Sequence, residues 1–182
     1  MTELFERGMT IERKFNCMGE RKKLEFEKIT IMSNYIMDLR AVVGHRPLLQ
    51  VGASVIVVDS ENRILLQLRN DNHCWGYAGG SVELDEVVEE AAKRELFEET
   101  GLIAESLELF GVFSGQDTHY IYPNGDEVSN VDIVYVCKRY AGKLRCQEGE
   151  VDALKFFPID EIPENISKPI RKPLNKWIEQ NR

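Results

Sequence analysis

Eight consecutive residues, Val51 to Val58, read VGASVIVV, with Ser54 the one polar side chain among them. A strand that apolar cannot leave one face in water, so it must be covered on both sides. It sits in a longer β run from Leu48, followed by a turn at DSEN and a second strand from Arg63 to Leu68. A doubly covered strand requires layers on both faces, and strands interrupted by two or three helices along the chain place it in the α/β class.

The other elements follow the same logic. The segment DNHCWGYAGG reads as a loop punctuated by glycines, and a helix is expected from about Asp85 to Thr100, closed by Gly101. Leu107 to Phe113 and Val131 to Arg139 read as strands around a polar loop, SGQDTHYIYPNGDEVSN. YAGKLRCQEGE reads as turn and loop, and ALKFFPIDEIP carries the last strand. KPIRKPLNKWIEQNR forms a short basic helix that packs through Trp177 and Ile178. Upstream, Ser33 or Asn34 can cap a short helix with Ile36, Leu39, Val42 and Val43 on one side and Gly44 at its end. Residues 1–31 show no sustained period and are expected to form an extension of uncertain order or origin, with the domain running over 32–182. No GxGxxG fingerprint is present, which argues against a dinucleotide-binding doubly wound sheet.

The net charge of −8 argues against bulk electrostatic attachment to nucleic acid or to an anionic membrane. No apolar run reaches the ~20 residues of a membrane span. Cys17, Cys74, Cys137 and Cys146 are widely spaced and form no C-x-x-C pair, so they read as reduced thiols of a soluble, cytoplasmic protein.

The central helix carries the chemistry. Gly79 to Leu102 holds eight carboxylates in GGSVELDEVVEEAAKRELFEETGL. A glutamate-rich helix is ordinarily a solvated face. At 100° per residue, however, Val88, Ala91, Ala92 and Leu96 form the buried stripe, Glu95 and Glu99 project into the same arc, and Glu98 lies at its edge. Glu86, Glu90 and Lys93 fall on the far side. Unpaired inward charge is expensive, and like charges one turn apart repel. Arg94, at i+4 from Glu90 and i−4 from Glu98, cannot neutralise them all. A hard divalent cation resolves the conflict, since Mg²⁺ takes a few carboxylates plus substrate phosphate. Gly79 and Gly80 let the backbone approach closely and can offer a carbonyl.

Gly80, Glu86, Arg94-Glu95-Leu96, Glu98-Glu99 and Gly101-Leu102 stand at the fixed spacings of the Nudix box, and the chain resembles the Nudix hydrolase family. The resemblance implies an α/β/α sandwich with a mixed central sheet. It also implies Mg²⁺- or Mn²⁺-dependent hydrolysis of the phosphoanhydride in a nucleoside diphosphate linked to a further group. By similarity, Gly80, Glu95, Glu98 and Glu99 are the metal-binding positions. Glu98, Glu99 and Arg94 are catalytic, while Gly79 and Glu86 support the frame. The base is either Glu98 or a downstream acid, for which Glu150, beside Glu148, is the candidate. Ala78, Leu84 and Val87 depart from common usage without removing a ligand; Asp85 can supply the cap that Val87 cannot.

The substrate is less legible. Arg69, Tyr120, Tyr122 and Glu127 are the candidate contacts, His119 a further one, though the aromatic residues serve equally as loop packing. His45 and His73 read as surface or structural, and Trp75 as packing under the glycine loop. The expected substrates are small nucleotides such as a damaged NTP, ADP-ribose or a dinucleoside polyphosphate. An RNA 5′ end is the alternative, as is a non-catalytic nucleotide sensor. A homodimer is left open.

Overall fold

The computed structural model describes residues 35–182; the expected extension, the boundary at Met32, the Ser33 or Asn34 cap and Cys17 lie outside them. The chain runs α1 (Tyr35–Val43), β1 (Leu48–Val57), β2 (Arg63–Arg69), β3 (Trp75–Gly76), β4 (Ala78–Ser81), α2 (Val88–Thr100), β5 (Leu102–Phe113), β6 (His119–Ile121), β7 (Glu127–Gly142), β8 (Val151–Pro158) and α3 (Arg171–Asn181). Two sheets form. One has the order β4-β1-β7-β5, with β6 also on β7; the other is β3-β2-β8. The β1–β7 pair is parallel and its neighbours antiparallel, so the larger sheet is mixed.

Strand alternation distributes the apolar run between two cores. Ala53, Val55 and Val57 join Leu65, Ala78, Leu102 and Cys137 against Ala91, Ala92 and Leu96 of α2. Ile56 and Val58 face the other way, with Ile64, Leu66, Val134 and Val136, against Leu174, Trp177 and Ile178 of α3. One helix therefore covers each face, giving the α/β/α sandwich. Ala91 and Ala92 are fully buried; their small side chains let α2 sit close to the sheet.

Several expected boundaries move. The glycine-rich segment is not all loop, because Trp75–Gly76 and Ala78–Ser81 pair as short edge strands. Strand β5 begins directly after α2 at Leu102, and β7 starts at Glu127 and runs on to Gly142, taking in part of the expected loops. Their antiparallel pairing, interrupted by register shifts, extends β5 back to Leu102 and β7 on to Gly142, while β1 and β6 pair with the start of β7. In α1 the buried residue is Arg40, whereas Val42 is exposed. Gly44 does end that helix, its N–H donating to the Arg40 carbonyl.

Trp75 meets Phe157 edge to face at 4.9 Å. Cys74, Cys137 and Cys146 are free. No helix among the described residues is long and apolar enough to cross a membrane.

Candidate active site

Helix α2 ends where it must. Gly101 adopts φ 74°, and its N–H donates to the Phe97 carbonyl at 2.8 Å. A side chain there would meet the Lys143 carbonyl at 2.6 Å, so glycine is demanded by both conformation and space. The start differs from expectation. Asp85 takes φ 63° in the preceding turn, and the N-cap position is Val87, with no side-chain cap. Because the helix begins at Val88, Glu86 lies before it rather than on its far side.

That placement builds a frame around Arg94. The guanidinium donates to both oxygens of Glu86, Nε to Oε1 at 2.8 Å and Nη2 to Oε2 at 3.0 Å. Its Nη2 also donates to the Ser81 carbonyl, and Nη1 reaches Glu95 at 2.7 Å and Glu98 at 3.2 Å. The Glu83 N–H donates to Glu86 Oε2 at 3.0 Å. These bonds, the Arg94 pair foremost, hold the Glu86 carboxyl below the usual range. Glu90 does not pair with Arg94; it takes Lys93, as does Glu89. Such forked, charge-assisted bonds fix geometry as well as energy.

The inward acids follow the wheel. Glu99 is 4% exposed, and its Oε2 accepts the Gly79 N–H at 2.8 Å. Burial pushes its carboxyl up to about 8. Burial likewise raises Glu95, against the pull of Arg94, and the charges of Glu98 and Glu150 raise it further. Glu150 thus stands near Glu95 although it comes from the turn before β8. Glycine at position 80 makes room for this arrangement, since a Cβ there would lie on the Glu95 carboxylate.

A cleft opens beside these acids, lined by Gly79, Gly80, Arg69, Asn72, Tyr120, Tyr122 and Asp132 among others. Tyr120 and Tyr122 meet edge to face at 5.0 Å. Arg69 is clamped by Asp71 through two bonds, at 3.0 and 2.9 Å; burial penalises its charge, but Asp71 overcomes this and raises its pKa. Glu127 does not line the cleft, and its carboxylate faces His119 at 3.3 Å. His45 is bonded to Asp126, and exposed His73 lies 3.6 Å from Asp152.

Three polar groups here were not anticipated. Asp132 is a half-buried acid between the hydroxyls of Ser54 (2.7 Å) and Tyr77 (3.2 Å), and partial loss of water raises its pKa. Asn72 donates to the Tyr120 hydroxyl at 3.0 Å. Gln67 is buried next to Glu99. Gln67 carried one signal, a single polar residue in the apolar middle of its strand; Asp132 carried none, since its strand also holds Glu127, Ser129, Asn130, Lys138 and Arg139.

Among the described residues, no three acid, imidazole or thiol side chains converge tightly enough to enclose an ion. Arg94 instead stands between Glu95 and Glu98. The donor set nevertheless fits a hard divalent cation. It is all oxygen, one carboxyl is buried without a cationic hydrogen-bond partner, and the flanking backbone has no side chain in the way.

The sequence profile described as NUDIX domain matches residues 48–178. An ADP-ribose pyrophosphatase from Methanocaldococcus jannaschii is 36% identical over 111 residues, 59% of this chain and 62% of that protein, so the chain spans less than two thirds of its length. A MutT-like protein from Streptomyces ambofaciens is 34% identical over 122 residues, 67% and 72% of the two chains. The crystal structure of a MutT NUDIX hydrolase from Burkholderia pseudomallei superposes with a TM-score of 0.60 at 32% identity, covering 70% of this chain and 97% of that one.

Proposed function

The chain belongs to the Nudix family, and from that premise we propose that it is a pyrophosphohydrolase dependent on Mg²⁺ or Mn²⁺. It cleaves the phosphoanhydride of a nucleoside diphosphate linked to a further group. One observation carries the reading: Glu99 is a buried carboxyl, aimed with Glu95 at the glycine strand and left without a cation of its own. Glu95, Glu98 and Glu99, with the Gly80 carbonyl, would hold the metal. When bound, it neutralises charge on the non-bridging phosphate oxygens and lowers the pKa of a coordinated water.

The protein's own groups do the rest. Arg94 keeps Glu95 and Glu98 apart and aimed, and Glu86 in turn fixes Arg94. The Gly79 N–H holds one oxygen of Glu99. The attacking water gives its proton either to Glu98, which shares Arg94 with Glu95, or to Glu150, whose charge is felt at Glu95. In the cleft, Tyr120 and Tyr122 offer faces for a base, and Arg69 offers positive charge for phosphate. Phosphoryl chemistry of this kind is mostly positioning and charge neutralisation.

The relative from M. jannaschii makes ADP-ribose the first compound to try, followed by oxidised nucleoside triphosphates and dinucleoside polyphosphates. Wild-type protein with Mg²⁺ or Mn²⁺ should release phosphate-bearing products from at least one of them, and Glu99→Gln should abolish turnover. Activity surviving in Glu99→Gln, or no turnover of any compound with either metal, rejects the proposal.

A further inference from the structure

Strand β2 reads RILLQLR, and its middle is apolar except for Gln67. That side chain is 1% exposed, yet neither its amide nitrogen nor its amide oxygen has a hydrogen-bond partner. Strand alternation puts it on the same face as Leu65, the side covered by α2. Its polar neighbour there is the Glu99 carboxyl, which its amide favours in the charged form, though the approach falls short of a full hydrogen bond.

An unmatched buried amide is unfavourable for folding. Leucine or methionine would fill the same space within the apolar cluster and leave nothing unpaired. Packing therefore does not account for glutamine at this position. Glu99 offers the missing partner: the Gly79 N–H holds one of its oxygens, Oε2, and Oε1 remains for the amide.

We propose that Gln67 is a positioning residue for Glu99, its amide N–H closing onto that carboxylate as it turns toward a divalent cation and so fixing the direction of its lone pairs. The inference rests on the reading of Glu99 as a metal ligand. It gives the site a partner behind the ligand, a kind of support whose loss in metal sites weakens binding by roughly 10- to 100-fold. A role in the frame alone would instead make Gln67 valuable to the metal-free fold.

Gln67→Met and Gln67→Leu separate the two. In the full chain, Mn²⁺ affinity is read from the paramagnetic resonance of free Mn²⁺, and thermal stability in EDTA is measured on the same samples. Both variants should bind Mn²⁺ at least about tenfold more weakly, melt in EDTA no lower than wild type, and lose kcat without a rise in nucleotide KM. Variants that bind Mn²⁺ as wild type does, whatever their melting temperature, overturn the inference and leave the proposed function standing. Failure of the wild type itself to bind Mn²⁺ overturns both.

Discussion

Two adjacent glycines of the site carry different obligations. At Gly80 an added Cβ would land on the end of the Glu95 side chain, which is flexible and can swing away. At Gly79 it would land on Ser54, with the backbone Cα only 2.7 Å distant. Gly80→Ala should therefore leave melting near wild type while releasing Glu95 from Arg94 and cutting kcat by roughly 100-fold, the scale of a lost positioning contact. Gly79→Ala should instead push β4 from β1 and lower stability by about 2 kcal/mol. Denaturant titration and steady-state kinetics on the pair test this: equal stability losses in both variants would mean that the Glu95 carboxylate cannot move. Glu99 makes a pH prediction of its own. Its folded pKa, about 8, lies above its ordinary value of 4.5, so the folded state binds the extra proton. Stability of the metal-free protein must then fall as pH rises between those values, by roughly 3 kcal/mol from about pH 4.5 to 7. Melting curves in EDTA should show this slope, Glu99→Gln should flatten it, and Mg²⁺ should oppose it. A slope unchanged in the variant would assign it to another group.

Helix α2 shows how far periodicity carries at the scale of an element. Its buried alanines, Leu96, Glu99 and the Gly101 stop were legible because each follows from 3.6-residue spacing or from the chirality of the chain. Glu86 does not lie on the solvated side, where a helical wheel drawn through it predicts it, because the chain turns at Asp85 and the helix starts only at Val88. A left-handed Asp85 breaks the wheel, and single residues of this kind leave little trace in composition. Strands β3, β4 and β6 leave little trace because runs of two to four residues, with three glycines among the nine, show no alternation; partners distant in sequence define them. The C-cap yields a clear expectation. Gly101→Ala combines a left-handed backbone with a collision against the Lys143 carbonyl, so it should destabilise the fold by about 2 kcal/mol or more. Turnover per folded molecule at low temperature should stay close to wild type, because the acids one and two turns earlier keep their partners. A variant that is stable but inactive would show that the cap sets the site directly.

Helix α1 connects two sides of the molecule that the sequence alone does not bring together. Its first N–H, at Tyr35, donates to Glu83 at 2.9 Å, and the Glu83 backbone in turn holds the Glu86–Arg94 frame. At its other end buried Arg40 donates to the carbonyls of Gly44 (3.1 Å), Arg46 (2.6 Å) and Glu127 (2.6 Å), with Asp126 at 3.4 Å. Glu127 opens β7 and pairs with Ile121 at the end of β6, the strand that carries Tyr120. The acidic frame and the aromatic wall of the cleft are thus fastened through one short helix. Ile36, Leu39, Val42 and Val43 fit a helical period and predict an apolar stripe there; the fold instead buries the cation, whose forked guanidinium donates to three carbonyls at once. Arg40→Met keeps the length of the stem but strands those carbonyls. Each buried bond to a charged donor contributes roughly 1.5–3 kcal/mol, so the loss should be large, yet confined to this corner of the domain. Glu95 and Glu99 take no bond from α1, whereas Tyr120 stands on a hairpin that does. Nucleotide KM should therefore rise severalfold while kcat at saturation holds and Mn²⁺ binding is unchanged. If kcat collapses together with KM, the acid frame depends on α1 as much as the cleft wall does, and the helix belongs to the catalytic scaffold rather than to the binding wall alone.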